Sequence, residues 1–120
     1  MLNRIETALK AIDPNVFYGG VTGITPTDIW DYIVFSRGPL RRNPKGNTAY
    51  SHTINVVIVR EEYVPEDTIY EVIEAMENIP GVRLDAEGSD FEYERKTNTK
   101  TIVEMAILPF TWARKKGGAS

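Results

Sequence analysis

The sequence predicts an α+β layer fold in the order α-β-β-α-β-β: an antiparallel-dominated four-stranded sheet with two helices packed on one face. Three observations predict it. Two segments repeat apolar residues at helical spacing, four alternate them at strand spacing, and the turn residues group the strands into two pairs, each after a helix. The order reads as a cyclic shift of the split β-α-β arrangement.

The first helix is expected over 2–12, where Leu2, Ile5, Leu9 and Ile12 form one apolar stripe. Asp13-Pro14 ends it, because a residue before proline is driven out of the helical region. Val16, Phe17 and Tyr18 can begin a strand that Gly19-Gly20 breaks. The first strand of the sheet spans 29–36, with Ile29, Ile33 and Phe35 on one face and Trp30, Tyr32 and Val34 on the other. Apolar residues on both faces predict cover on both sides, with Asp31 as the exception. Residues 37–49 hold two Pro, two Gly and the cations Arg37, Arg41, Arg42 and Lys45, and read as a long exposed hairpin connection. Residues 50–59 are the clearest strand, Ile54, Val56 and Ile58 alternating with Thr53, Asn55, Val57 and Val59.

The second helix is expected to run from Pro65 to Ile79, ahead of Pro80-Gly81. Proline suits a helix start, since its missing N–H has no partner there in any case. Ile69, Val72, Ile73 and Met76 are its buried stripe. A strand starts at Val82–Leu84, breaks at Gly88-Ser89, and resumes with Phe91 and Tyr93 turned inward. After a turn at Asn98, the last strand covers 101–110, with Ile102, Ala106, Leu108 and Phe110 on one face and Val103, Met105 and Ile107 on the other. Residues 113–120 read as a loose basic tail.

A chain of 120 residues that is 42% apolar makes one domain, 1–120, with a real core. It has no cysteine and one histidine, which excludes disulfide scaffolds, thiol nucleophiles and His-rich metal sites. No apolar run nears the roughly 20 residues of a membrane span. The first residues form a polar helix rather than a signal peptide, so a reducing compartment is expected.

The net charge of −3 covers strong segregation. Residues 1–60 carry 7 basic and 4 acidic side chains, 61–94 carry 12 acidic and only Arg83 basic, and 95–120 carry 6 basic and only Glu104 acidic. The blocks are thus +3, −11 and +5, a pattern that bears on association rather than on fold.

The motifs of common chemistries are missing. Gly19, Gly20 and Gly23 lack dinucleotide spacing, and no phosphate-loop Gly-Lys-Ser/Thr occurs. His52 is adjacent to Ser51 on a strand, so the two face opposite ways, and a surface or packing role is expected. Asp85, Glu87, Asp90, Glu92 and Glu94 form an acidic stretch whose Gly88 is misplaced for a calcium loop. No catalytic, cofactor or metal residues are assigned. Glu66 and Asp67 suit a helix N-terminus. Glu71, Glu74 and Glu77 follow in a chain segment, 61–82, that holds no Lys or Arg. That face is either solvated or meets a basic partner. Loop 37–45 permits a nucleic-acid reading, but it carries no aromatic for stacking and the chain is acidic overall.

Four features carry a resemblance: the opening MLNRIETALKAI; the pair DIWDYIVFSRG and YSHTINVVIVREEYVPEDTIYEVIEAME; IPGVRL; and the closing KTNTKTIVEMAILPFTWARKKG. Over nearly the whole chain they resemble the small tail-terminator, or tail-completion, neck proteins of long-tailed bacteriophages. The resemblance implies a ring, typically a hexamer, at the head-proximal end of the tail tube. Such a ring ends tube polymerisation and joins the tail to the head connector. Its implied partners are further copies of itself, the tail tube protein and the head-closure or connector protein, with DNA passing through the lumen without sequence recognition. It also implies assembly in the bacterial cytoplasm, a final place in the virion neck, and no catalysis, cofactor or membrane. Another neck or head-closure protein and a split β-α-β module that binds nucleic acid through 37–45 are the alternatives; a carboxylate-only enzyme would need acids converging in a pocket.

Rings are built from heterologous contacts, one patch against a different patch on the next copy. Opposite charge suits that geometry. Two interface blocks are therefore expected, one acidic (Glu71, Glu74, Glu77, Asp85, Glu87, Asp90) and one basic (Arg37, Arg41, Arg42, Lys45, Arg114, Lys115, Lys116). Trp30, Tyr32 and Trp112 are candidate apolar anchors.

Overall fold

The computed structural model describes residues 1–21, 23, 28–42 and 49–115, with side chains except at 49, 114 and 115. Among these residues two helices and seven strands follow one another as α1 (Leu2–Lys10), β1 (Val16–Tyr18), β2 (Asp31–Arg37), β3 (Arg41–Arg42), β4 (Ala49–Glu61), α2 (Glu66–Glu77), β5 (Arg83–Leu84), β6 (Asp90–Arg95) and β7 (Ile102–Lys115). The α+β class is as expected; the four-stranded antiparallel sheet is not. The sheet is mixed and seven-stranded, ordered β1-β2-β4-β7-β5, with β3 added to β4 and β6 to β7. The short β1 runs parallel to β2 and every other pair is antiparallel.

The spine is the β4–β7 ladder, from Ala49 opposite Lys115 to Glu61 opposite Val103. Its alternation separates two faces. Ile33, Phe35, Ile54, Val56, Ile58, Ala106, Leu108 and Phe110 point to one side and close on Ile5 and Leu9 of α1 and Val72 and Met76 of α2. Each of these is buried, so removing water from this one layer drives the fold. Pro65 acts as the N-cap of α2 instead of its first residue, with Glu66 and Asp67 in the first turn.

Several expectations change. Ile29 lies outside β2 and is 78% exposed; next to it the backbone N–H of Trp30 donates to the Glu61 carboxylate at 2.6 Å. Tyr32 and Val34 are half-buried on the face that neither helix covers. The 37–49 connection is shorter than expected, because β2 continues through Arg37 and Arg41–Arg42 pairs with Tyr50 and Ser51. Phe91 and Tyr93 are exposed, at 43% and 64%, since α2 packs on β5 and β7 rather than on β6. The tail expected to be loose from 113 is β7 through Lys115, held there by pairing with Ala49–Ser51.

Two ionic nodes tie loops to the sheet. Arg60 reaches Asp13 at 2.9 Å and Asp31 at 2.6 Å, fixing the chain after α1 to β4 and β2. Lys96, almost wholly buried, donates to Glu61 at 2.9 Å and to the carbonyl of Asp28. Its ammonium also lies 5.5 Å from the centre of the Trp30 ring.

Candidate assembly surfaces

Part of the charge segregated along the sequence is also separated along the molecule: Arg41 and Arg42 lie at one end of the sheet and Asp90, Glu92 and Glu94 at the other. The structure measures 51 × 26 × 26 Å, and the β4–β7 ladder is its rail. Arg41 and Arg42 pair with Ser51 and Tyr50, which in turn face Ala113 and Arg114. Arg37, at the end of β2, is three residues away at Ile54. The backbone of Arg114 and Lys115 belongs to this same end. Strand β6 occupies the other end, Asp90 opposite Ile107 and Glu94 opposite Val103. At about 3.4 Å per residue, roughly 20 to 34 Å separate these acids from the rung at Ala113. That exceeds the screening length of about 8 Å in physiological salt, so the two surfaces do not neutralise each other within one chain.

The basic end also has an apolar floor. Between it and the start of α1 lies a cleft of about 530 Å³ lined by Leu2, Arg37, Leu40, His52 and Trp112 among others. His52 and Trp112 are opposed across the ladder and stack face to face, 5.1 Å between centres and 5° apart in plane. Arg42 lies over the Tyr50 ring at 5.8 Å. Leu40 is 62% exposed. Helix α1 begins at this cleft with no side-chain cap and no acid in its first turn, so the partial positive charge of its N–H groups is not offset locally. These aromatics come from 50, 52 and 112, outside the basic loop, and were not legible from the loop's own sequence.

On β6 the alternation puts Phe91 and Tyr93 on the helix side and Asp90, Glu92 and Glu94 on the open side. All six β6 residues are exposed. The Tyr93 hydroxyl is pushed above its usual range, chiefly by its hydrogen bond to the Glu104 carboxylate. Glu104 also accepts the N–H of Val64 at 2.7 Å. Burial raises the Tyr32 hydroxyl, with a further push from the charge of Glu94 on the same open face.

The expected interface residues divide accordingly. Arg37, Arg41 and Arg42 are exposed together at the basic end. Lys45 and Lys116 lie outside the described residues. Glu71 and Glu74 are exposed on α2, apart from β6. Glu77 has work inside the chain, accepting the N–H of Leu84 at 3.0 Å. Asp85 caps its own turn through the N–H of Glu87, and Asp90 accepts the N–H of Phe91 at 2.9 Å. Glu92 and Glu94, absent from the expected set, join Asp90 as the acidic row; the alternation Asp-Phe-Glu-Tyr-Glu was the signal for it.

Ladder alternation puts Ser36 and Ser51 on the opposite face from His52. Among the described residues no three His, Asp or Glu side chains gather as a metal site requires, and no helix is long and apolar enough to cross a membrane. No protein-family description matches the chain, and no curated protein matches it either. The fold and surfaces define a small α+β protein with a basic, aromatic-floored end and an acidic edge strand at the other.

Proposed function

We propose that this chain is a structural virion assembly protein of the tail-terminator kind. It forms a ring at the head-proximal end of a phage tail tube, ends tube polymerisation and joins the tail to the head connector. Its partners on this reading are further copies of itself, the tail tube protein and the head-closure protein, and DNA passes through the lumen. The observation that carries the reading, beside the resemblance over nearly the whole sequence, is the separation of opposite charge to the two ends of an elongated subunit. Such a subunit favours head-to-tail contacts, which form a ring where the rotation between copies closes, over two-fold pairing of like surfaces.

The test is the mass of the purified protein by light scattering, at high concentration and with isolated tail tubes, together with negative-stain images. A ring, free or capping tube ends, is expected; a strict monomer under both conditions overturns the reading. Binding to the connector without binding to tubes identifies a head-closure role instead. A second reading is favoured by one observation: Tyr50, His52 and Trp112 stand beside Arg37, Arg41 and Arg42, and cations beside aromatics suit single-stranded nucleic acid. That reading requires affinity to fall steeply with salt, in proportion to the phosphates contacted.

A further inference from the structure

We propose that β6 of one copy adds along the sheet edge at β3 of the next, so that the sheet runs on from subunit to subunit. This rests on the ring reading and names the two surfaces that would make its contact. Among the described residues β6 pairs with β7 alone and β3 with β4 alone, so each presents an outer edge that pairs with no strand. A six-residue edge strand is a template for another strand unless something blocks it. Here it holds neither Pro nor Gly, and Arg95 is its one cation.

The two edges match face by face. On the open side, β6 carries Asp90, Glu92 and Glu94, and β3 carries Arg41, which shares a rung with Ser51. On the helix side, β6 carries the exposed rings of Phe91 and Tyr93. The basic end has there the cleft of about 530 Å³ floored by Trp112 and Leu40, with Arg37 at its margin. Antiparallel edge-to-edge addition keeps both faces aligned, so carboxylates meet guanidinium and rings meet the apolar floor in a single arrangement. A one-residue slip would put acids over the cleft and rings on the charged side, which fixes the register. The same chain cannot make this contact with itself, because the two edges lie at opposite ends of the ladder.

Two variants test it. One neutralises the acidic row, Asp90→Asn/Glu92→Gln/Glu94→Gln; the other reverses the basic end, Arg37→Glu/Arg41→Glu/Arg42→Glu. All six positions are exposed, and thermal melts matching the wild type establish folding. In sedimentation velocity each variant alone is expected to weaken self-association at least tenfold. An equimolar mixture is expected to form a 1:1 heterodimer and stop. One intact acidic edge meets one intact basic end there, and the remaining pair, a neutral edge and an acidic end, has no attraction. Should either variant assemble like the wild type, the inference fails while the ring reading stands. A mixture of folded variants that stays monomeric overturns it too. Wild type that is monomeric even with tail tubes removes both. Capture of a single-stranded oligonucleotide at the basic end, without self-association, overturns the contact in favour of nucleic acid.

Discussion

Replacing Glu61 by Gln isolates the ion pair that holds segment 28–30 to the sheet. The carboxylate accepts from Lys96 at 2.9 Å and from the N–H of Trp30 at 2.6 Å. Glutamine keeps an oxygen for the N–H but leaves the Lys96 charge without its counter-ion. Removing one partner of a fully buried pair costs about 3–5 kcal/mol. Here the Lys96 side chain is 6% exposed and Glu61 24%, and Lys96 retains the Asp28 carbonyl and the Trp30 ring. The cost is accordingly scaled down to about 2 kcal/mol. For a chain of this length that lowers Tm by about 8 °C. The Lys96 bond, then the Trp30 N–H, holds the Glu61 carboxyl below the ordinary glutamate range. As pH falls, the unfolded chain takes up this proton first. The stabilisation is thus complete above the ordinary glutamate value and disappears as pH drops through the lower folded-state value. Glu61→Gln has no such proton to gain, so the gap to wild type is expected to narrow on acidification. Urea unfolding at pH 7 and across the acid range, with Lys96→Met and the double variant, completes the cycle. A Glu61→Gln cost below about 0.5 kcal/mol, or an equal cost in the Lys96→Met background, refutes the node, since packing-level changes at a surface fall in that range.

The second node should divide unequally. Asp13 is nearly buried and Asp31 about half exposed, so Arg60→Ala is expected to cost about 3 kcal/mol and Asp31→Ala less than about 1 kcal/mol by chemical denaturation; equal costs would contradict the assignment. At Gly38 an added Cβ would lie 2.9 Å from Cγ2 and 3.1 Å from Cβ of Thr53. Gly38→Ala is therefore expected to lose about 1–2 kcal/mol through overpacking, and Thr53→Ser, which removes Cγ2, should recover part of it in the double variant.

How much was legible depended on whether an element's partners are local. Of the helical stripe Leu2-Ile5-Leu9-Ile12, Ile5 and Leu9 are buried and Leu2 and Ile12 pack half-buried against them, and the alternation Ile54-Val56-Ile58 is buried as expected, because a helix or a central strand exposes its period directly in the chain. The same alternation misled at Phe91 and Tyr93: it says which residues share a face but not whether a helix covers that face. Ile29 continued an apolar pattern yet lies outside the strand, which begins at Asp31, and is exposed. Residues 113–115 of the basic tail are strand for a similar reason, since their pairing partners at 49–51 are distant in sequence. Glu71, Glu74 and Glu77 were a legible acidic row, but only folding shows that Glu77 is occupied by Leu84 and that, among the described residues, the strand of Glu92 and Glu94 pairs on one side alone.

By itself the sequence determined the class of fold, the helix and central-strand residues of the core layer and the division of charge into +3, −11 and +5 blocks. These follow from periodicity and from counting, which need no coordinates. The tertiary structure alone decided that Arg41 and Arg42 lie at one end of the ladder and Asp90, Glu92 and Glu94 at the other. It also decided that an aromatic floor joins the cations and that the acidic strand keeps an open edge. Charge acts over about 8 Å in physiological salt, and only folding determines which residues lie within that distance.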